Sequence, residues 1–185
     1  MKKKITLAVI CAVLSCVCLI GTTFAWLMDK TETIDNTFTI GNVDITLEET
    51  ENLNLKMVPG APITKDPEVG VVAGSEACWL FIKIDESANL DTFITYTVDG
   101  AWKVVPGETN VYYIQVDAAT ATAGKTYQVL TDNQVTVNNT VTKSMMDEIK
   151  NGTATAPVLS FTAYAIQQTG FADAATAWAT AKTAT

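Results

Sequence analysis

The chain has 185 residues, with 20 acidic residues against 12 lysines, no arginine and no histidine, and its formal charge is −8. Nucleic-acid affinity comes mainly from Lys and Arg side chains that neutralise phosphates, so this composition excludes a nucleic-acid partner. The lack of histidine also excludes the H-E-x-x-H zinc helix and every Ser-His or Cys-His catalytic pair. No remaining residues form a recognisable acid–base pair, and we therefore expect no enzyme activity and no cofactor.

Residues 1–25 have the order of a secretory signal peptide. Three consecutive lysines precede an uncharged run, Ile5 to Ile20, and small residues close the segment. Thr23 and Ala25 occupy the −3 and −1 positions of an A-x-A-like cleavage site, which makes Trp26 the expected first residue of the mature chain. We therefore expect a protein that is secreted to the extracellular matrix or the cell surface and touches the membrane only through this peptide before cleavage.

Two other interpretations of the N-terminus stay open. The uncharged stretch from Ile5 to Met28 is long enough to remain as an uncleaved membrane anchor. Cys16 could instead carry a lipid that tethers the chain. Cleavage after Ala25 would leave nine lysines against 20 acidic residues, a formal charge of −11, and Cys78 as the one remaining cysteine. No internal disulfide can then form, so stability must come from packing.

A short arm, residues 26–35, follows the cleavage site and precedes the first core strand. After cleavage its apolar side chains face water unless a partner buries them. The arm has β-forming threonines and no proline, so it could pair with an open sheet edge as a donor strand. The alternative is that it packs on its own domain or frays, as many termini do. The residues assigned to the possible donor strand are Trp26, Leu27, Met28, Thr31, Thr33 and Ile34.

From residue 36 to residue 185 the pattern is that of a single all-β domain. Apolar and polar residues alternate with period two, and turn signals separate the segments. Asp99-Gly100 gives the clearest hairpin signal, between the strands at 93–98 and 102–105. The spacing predicts a jelly-roll-like antiparallel sandwich with one or two short helices. The predicted strands cover 38–41, 43–48, 64–72, 78–86, 93–98, 102–105, 111–117, 126–131, 134–138 and 158–167.

The strands at 78–86, 111–117 and 158–167 have apolar residues on both faces, which indicates inner strands that are covered from both sides, or strands that lie under a neighbouring loop. Cys78 shares a face with Leu80 and Ile82, so we expect a buried thiol, with a reactive thiol as the alternative. The expected core comprises Phe38, Val43, Ile45, Leu47, Leu80, Ile82, Ile84, Ile114, Leu159 and Phe161.

Two segments depart from the β pattern. The sequence of residues 142–152 predicts a short helix. Thr142 or Ser144 can cap its N-terminus, and Gly152 ends it. Residues 171–183 are rich in alanine and predict a terminal helix or a frayed tail. The apolar face of this second segment is formed by Phe171, Ala175 and Trp178.

Acidic residues between 44 and 51 could supply oxygen ligands to Ca²⁺, but their spacing matches no calcium-binding loop. We interpret them as a solvent-exposed acidic face and expect no bound metal. Asp66 and Asp85 have no recognisable partner in the sequence, so neither is assigned as a catalytic acid or base.

Four segments of the chain are similar to segments of one known family. TFAWLMD at 23–29 is similar to a block T-[FW]-A-x-F/L-x-D that ends the family's signal peptides. NTFTIGNVDI at 36–45 is similar to a block N-x-F-x-x-G-x-[VL]-D-[IL] that opens its first core strand. NLKMVPGAPITKDPEV at 54–69 and LSFTAYAIQQTGF at 159–171 are similar to a turn-strand segment and to the last long strand. The chain thereby resembles the TasA/camelysin family of exported Gram-positive proteins.

This resemblance implies an exported jelly-roll sandwich whose signal peptide is removed by a peptidase of the SipW type. In the fibre-forming branch, subunits of a biofilm matrix join head to tail by donor-strand complementation, so the implied partner is a second copy of the chain. The camelysin branch implies a surface metalloprotease. We favour the matrix subunit, with a non-polymerising cell-surface binding module as the first alternative and the metalloprotease as the second.

Overall fold

The computed structural model describes residues 42–50 and 56–183, which belong to one compact unit, Ile40–Thr185. The predicted strand at 38–41 and Phe38 lie outside the described residues. The described part contains ten strands, four α-helices and one short 3-10 helix, Thr131–Asn133. The strands are β1 (Ile45–Glu48), β2 (Pro62–Thr64), β3 (Glu68–Val71), β4 (Cys78–Glu86), β5 (Ile94–Thr95), β6 (Lys103–Val104), β7 (Val111–Val116), β8 (Lys125–Gln128), β9 (Gln134–Val137) and β10 (Leu159–Gln167), and the helices are α1 (Leu90–Phe93), α2 (Ala118–Ala123), α3 (Lys143–Lys150) and α4 (Ala174–Ala181).

The strands form three sheets, and every strand pairing is antiparallel. The first sheet has the order β1-β3-β8, the second β10-β4-β7-β6, and the third β2-β9-β5. The longest pairing joins β10 to β4 over nine residues, from Leu159 opposite Glu86 to Gln167 opposite Cys78. The expected all-β class and antiparallel pairing are confirmed.

Strand β4 lies at the centre of the core and is covered on both faces, as its apolar pattern predicts. One face, with Cys78, Leu80 and Ile82, packs in a cluster that includes Val69 and Val71 of the first sheet. The other face, with Trp79 and Phe81, packs in a second cluster with helix α4. Each fully buried side chain of this kind contributes roughly 1.5–3 kcal/mol of transfer free energy. Five other expected core residues are partly buried against the first cluster: Val43, Ile45, Ile114, Leu159 and Phe161.

Helix α4 confirms the predicted terminal helix and covers the outer face of β4. Its N-cap is Asp173, whose side chain accepts the Thr176 backbone N–H at 2.8 Å. The buried face differs from the predicted one, because Ala174 and Ala177 are buried where Ala175 is only partly buried. A helical repeat of 3.6 residues places those two alanines beside Trp178.

Helix α3 also agrees with its prediction. The Thr142 hydroxyl accepts the Met145 backbone N–H at 3.4 Å, and Gly152 follows the helix end with φ of 76°.

The periodicity of the sequence does not predict helices α1 and α2. α2 has the sequence AATATA and is capped by Asp117, which accepts the Thr120 N–H at 2.9 Å. Such a short segment lacks the repeated apolar spacing that signals a helix.

The Asp99-Gly100 hairpin prediction is wrong, although the chain does turn there. The Ala101 N–H donates to the Asp99 carboxylate at 3.0 Å, and the Trp102 N–H donates to the Asp99 carbonyl at 3.0 Å. The flanking strands pair elsewhere, β5 with β9 and β6 with β7. Trp102 is 6% exposed, and its indole N–H donates to the Gln128 carbonyl at 2.9 Å. Trp102 thus lies buried in the connection between β5 of the third sheet and β6 of the second sheet.

Leu47 is not part of the core, contrary to its alternating pattern. It is 40% exposed on β1, an edge strand that pairs with β3 only on one side within the described residues. Period-two alternation assigns a residue to a face of a strand, but it does not show whether a second layer covers that face.

Candidate functional site

The predicted site residues of the N-terminal region lie outside the described residues. This holds for the cleavage positions Thr23 and Ala25 and for the whole arm, residues 26–35. Their assignments therefore stay predictions. Among residues 42–50 and 56–183, no helix is both long and apolar enough to cross a membrane.

Strand β10 offers the longest open sheet edge in the described part of the chain. It pairs with β4 along one edge through all nine of its residues, and no described strand pairs with its other edge. An edge strand presents a row of unpaired backbone N–H and C=O groups to any approaching strand. Strand β1 lies close to β10 without pairing with it, so within the described residues this edge of β10 has no hydrogen-bonded strand and could accept a further extended segment.

An apolar depression runs beside the start of β10. It consists of two cavities of ≈ 210 and ≈ 250 Å³ that share Leu159. We call this depression the β10 groove. Val158 and Leu47 on its walls are exposed by 51% and 40%. Its other apolar lining residues are Leu90, Ile94, Val135, Pro157, Phe161 and Pro67.

A partly buried ion pair lies within the β10 groove. Lys65 is 8% exposed, and its ammonium nitrogen lies 2.8 Å from the Glu49 carboxylate. The same nitrogen lies 5.3 Å from the centre of the Phe161 ring. A buried charge is tolerated when it is paired, and here the Glu49 carboxylate neutralises the Lys65 ammonium. The cavity that contains Val158 is therefore mainly apolar, whereas the cavity that contains Leu47 also has the polar side chains of Glu48 and Ser160 in its lining.

Lys65 and Glu49 are functional candidates that sequence reasoning missed. The two residues are separated by sixteen positions and belong to different strand connections. No periodic signal in the sequence links a single lysine to one glutamate at that separation.

The acidic residues near β1 line a polar cleft of ≈ 380 Å³ that includes Glu48, Glu68 and Asp66. Asp66 does have a partner, because its carboxylate accepts the Thr50 hydroxyl at 2.5 Å and the Thr50 N–H at 3.1 Å. These hydrogen bonds, that of the hydroxyl first, hold the pKa of Asp66 below its usual value. Asp85 is also paired, with its carboxylate 2.7 Å from the Lys83 ammonium.

The residues that the structure describes do not fit a metal centre. In ranges 42–50 and 56–183, no three His, Cys, Asp or Glu side chains are placed together to hold a metal ion. The chain has no histidine at any position. No catalytic step through a metal can be derived from these residues.

Cys78 is buried, as predicted. Burial raises the pKa of its thiol to about 11, so the thiolate is scarce at neutral pH. Since the thiolate is the nucleophilic form, Cys78 is a packing residue of the core.

Residues 1–74 match the family described as camelysin metallo-endopeptidase. The resemblance inferred from the junction and the first strand is thereby confirmed over this part of the chain. The expectation that the chain is not an enzyme is wrong on this finding, because the family carries the name of a peptidase. No curated protein and no solved structure matches the chain.

Proposed function

We propose that this chain, whose first 74 residues match the camelysin family, is an exported structural subunit of an extracellular matrix of the biofilm type. Cleavage after Ala25 by a peptidase of the SipW type releases the arm, residues 26–35, and the arm joins one copy of the chain to the next. The observation that carries the proposal is the open edge of β10 beside the β10 groove.

The backbone supports a strand as the occupant of this edge. β10 is nine residues long, and the arm, residues 26–35, is of comparable length. An added strand satisfies the unpaired N–H and C=O groups of an edge with main-chain hydrogen bonds, which supply much of the affinity in this mode of recognition. The arm contains no proline, so it can donate along its whole length.

The side chains support the same occupant. The β10 groove has apolar walls and an internally neutralised ion pair, Lys65 with Glu49. The arm carries Trp26, Leu27 and Ile34, which lose contact with water when a groove of this kind takes them up. Burial of such side chains is favourable by roughly 25 cal/mol for each Å² of apolar surface removed from water.

The geometry of such a contact leads to a filament. The donor segment and the acceptor edge are different surfaces of the chain, so each copy can give its arm to one neighbour and receive an arm from another. A heterologous contact that does not close into a ring propagates into an open filament.

The proposal is tested with a donor-defective and an acceptor-defective variant of the mature chain. Deletion of residues 26–35 removes the donor, and Leu159→Asp places a charge in the β10 groove. Each variant alone is expected to stay monomeric in analytical ultracentrifugation and to form no filaments in electron microscopy. Their mixture is expected to form a dimer, because the intact arm of the Leu159→Asp chain enters the intact groove of the other.

The matched control is Val104→Asp on β6. Val104 is 56% exposed and belongs to the opposite edge strand of the second sheet. This variant is expected to form filaments like those of the mature chain. Filaments from the arm-deleted chain would refute donor-strand assembly and would favour the surface-binding module.

Peptidase activity is the second candidate function, and the family description favours it. The test is to measure zinc content and casein cleavage for the purified mature chain, with and without a chelator. Stoichiometric zinc together with chelator-sensitive cleavage would establish a metallopeptidase. The ligands would then have to include residues outside ranges 42–50 and 56–183, given the lack of a ligand cluster within them.

A further inference from the structure

Residues 95–98 border two surface clefts, one mainly polar and one with polar and apolar surface in similar parts. The first cleft has a volume of ≈ 180 Å³ and the second ≈ 370 Å³. Thr95, Tyr96 and Thr97 contribute to both. The larger volume is within the range of roughly 300–1,000 Å³ that is typical of small-molecule sites.

The second cleft has a carboxylate in a defined position. Glu86, at the end of β4, accepts the Tyr96 hydroxyl at 2.6 Å through one oxygen and the Asn110 amide at 3.1 Å through the other. Burial, followed by the contact with Glu86, raises the pKa of Tyr96, so its hydroxyl keeps its proton and remains a donor. Asp91 and Tyr112 line the same cleft.

The first cleft is bordered by an unusual backbone. Asp132 and Asn133 adopt consecutive positive φ angles of 56° and 52°. Non-glycine residues adopt this region infrequently, and such backbone is concentrated at ligand-binding and functional sites. Asp132 and Gln134 line the cleft, whereas Asn133 does not.

The lining chemistry selects one class of ligand. Both clefts combine hydroxyl groups with carboxylates, and one adds a carboxamide, so their surfaces both donate and accept hydrogen bonds. Sugar hydroxyls also both donate and accept hydrogen bonds. No lysine lines either cleft, while Glu86, Asp91 and Asp132 do, so a phosphate or a uronate would meet only negative charge.

We propose that the paired clefts on either side of residues 95–98 form a binding site for a neutral polysaccharide. The two clefts share three consecutive residues, Thr95 to Thr97, so a chain of sugar units can contact both. Fixed hydrogen-bonding groups orient the ligand, since Glu86 is held from two sides.

The test is affinity electrophoresis of the mature chain in native gels. The gels contain dextran, mannan, galactan or hydroxyethyl cellulose as neutral polysaccharides, or alginate as a polyuronate. Retardation by at least one neutral polysaccharide and none by alginate is the expected result. Absence of retardation by all four neutral polymers, or equal retardation by alginate, would overturn the proposal.

The site is tested with Thr97→Val combined with Asp132→Gly. Valine keeps the shape of threonine without its hydroxyl, and glycine removes the carboxylate while it accepts the positive φ at this position. Binding is expected to weaken about tenfold, the effect of two lost hydrogen bonds. Thr122→Val in α2, an exposed threonine distant in the chain, is the matched control and should bind like the mature chain.

A third variant guards against loss of the fold. Tyr112→Phe removes one hydroxyl from the second cleft without a change of ring packing, and it should weaken binding severalfold with an unchanged melting temperature. If this variant and the double variant both bind as tightly as the mature chain, the clefts are not the binding site.

Discussion

At the scale of single residues, several aspartates hold local backbone structure. Asp99, Asp117 and Asp173 each accept a backbone N–H, from Ala101, Thr120 and Thr176 respectively. In each case this backbone hydrogen bond is the main cause of a lowered pKa. The ionised carboxylate is the better acceptor, so these contacts stabilise the domain at neutral pH.

The first prediction concerns Asp173→Ala, which removes the N-cap of α4. The folded-state pKa of Asp173 lies below its usual value of 3.8. Its stabilising contribution is therefore complete above that value and is lost as the pH falls through the folded-state pKa. We expect the variant to have a lower melting temperature than the parent chain at pH 7, and the difference to shrink towards pH 2.

Calorimetry between pH 7 and pH 2 measures this difference. Glu76→Ala is the control, because Glu76 is exposed and its side chain makes no hydrogen bond among the described residues. A melting-temperature difference for Asp173→Ala that stays constant down to pH 2 would show that the charge of the cap is unimportant.

At the scale of elements, α4 completes the core around the central strand β4. The Trp178 ring centre lies 5.4 Å from that of Phe81 and 5.1 Å from that of Tyr164. Its indole N–H donates to a Glu108 carboxylate oxygen at 2.9 Å, and the Lys182 ammonium donates to the same oxygen at 2.9 Å. Trp178 thus anchors the helix by packing and by a hydrogen bond to the loop between β6 and β7.

The second prediction separates these two contributions of Trp178. Trp178→Ala should lower the free energy of unfolding by about 3–5 kcal/mol, because it opens a cavity at a side chain that is 3% exposed. Trp178→Phe keeps most of the packing and loses the bond to Glu108, so its cost should be smaller. Urea denaturation measures both, with the exposed Val104→Ala as the control. A cost for Trp178→Ala below about 1 kcal/mol would show that α4 is not part of the folded core.

At the scale of the whole molecule, charge opposes the assembly proposed above. The chain after Ala25 has nine lysines and 20 acidic residues, a formal charge of −11. Copies of the same acidic chain repel one another at distances up to the screening length. That length is about 30 Å at 0.01 M salt and about 8 Å at 0.15 M.

The third prediction follows from this repulsion. Filament growth of the mature chain should be slow at 0.01 M sodium chloride and faster at 0.15 M, because salt screens like charges before the arm reaches the groove. Light scattering against time measures growth. Sucrose of matched osmolarity is the control and should not accelerate it. Faster growth at low salt would mean that attraction between opposite charges drives the contact.

Much of the fold follows from local pattern. The inner strand β4 was predicted with its exact bounds, because nine successive residues with apolar groups on both faces are typical of a buried strand. Helix α3 follows from its cap and its terminal glycine, and the extent of β10 follows from its apolar pattern. The expectation that β10 is an inner strand is wrong, because it lies at the edge of the second sheet. The arm could be recognised only as a segment, residues 26–35, and its partner remains a proposal.

The sequence by itself determined the all-β class, the central strand, the two longer helices and the resemblance at the N-terminal junction, since each depends on residues that are close together in the chain. Tertiary structure alone decided that Leu47 stays exposed, that Asp99-Gly100 joins two different sheets, and that Lys65 meets Glu49 in a groove. The physical reason is that periodicity reports which face of a strand a residue occupies. Which layer covers that face, and which edge stays open, depends on contacts between segments that are distant in the chain.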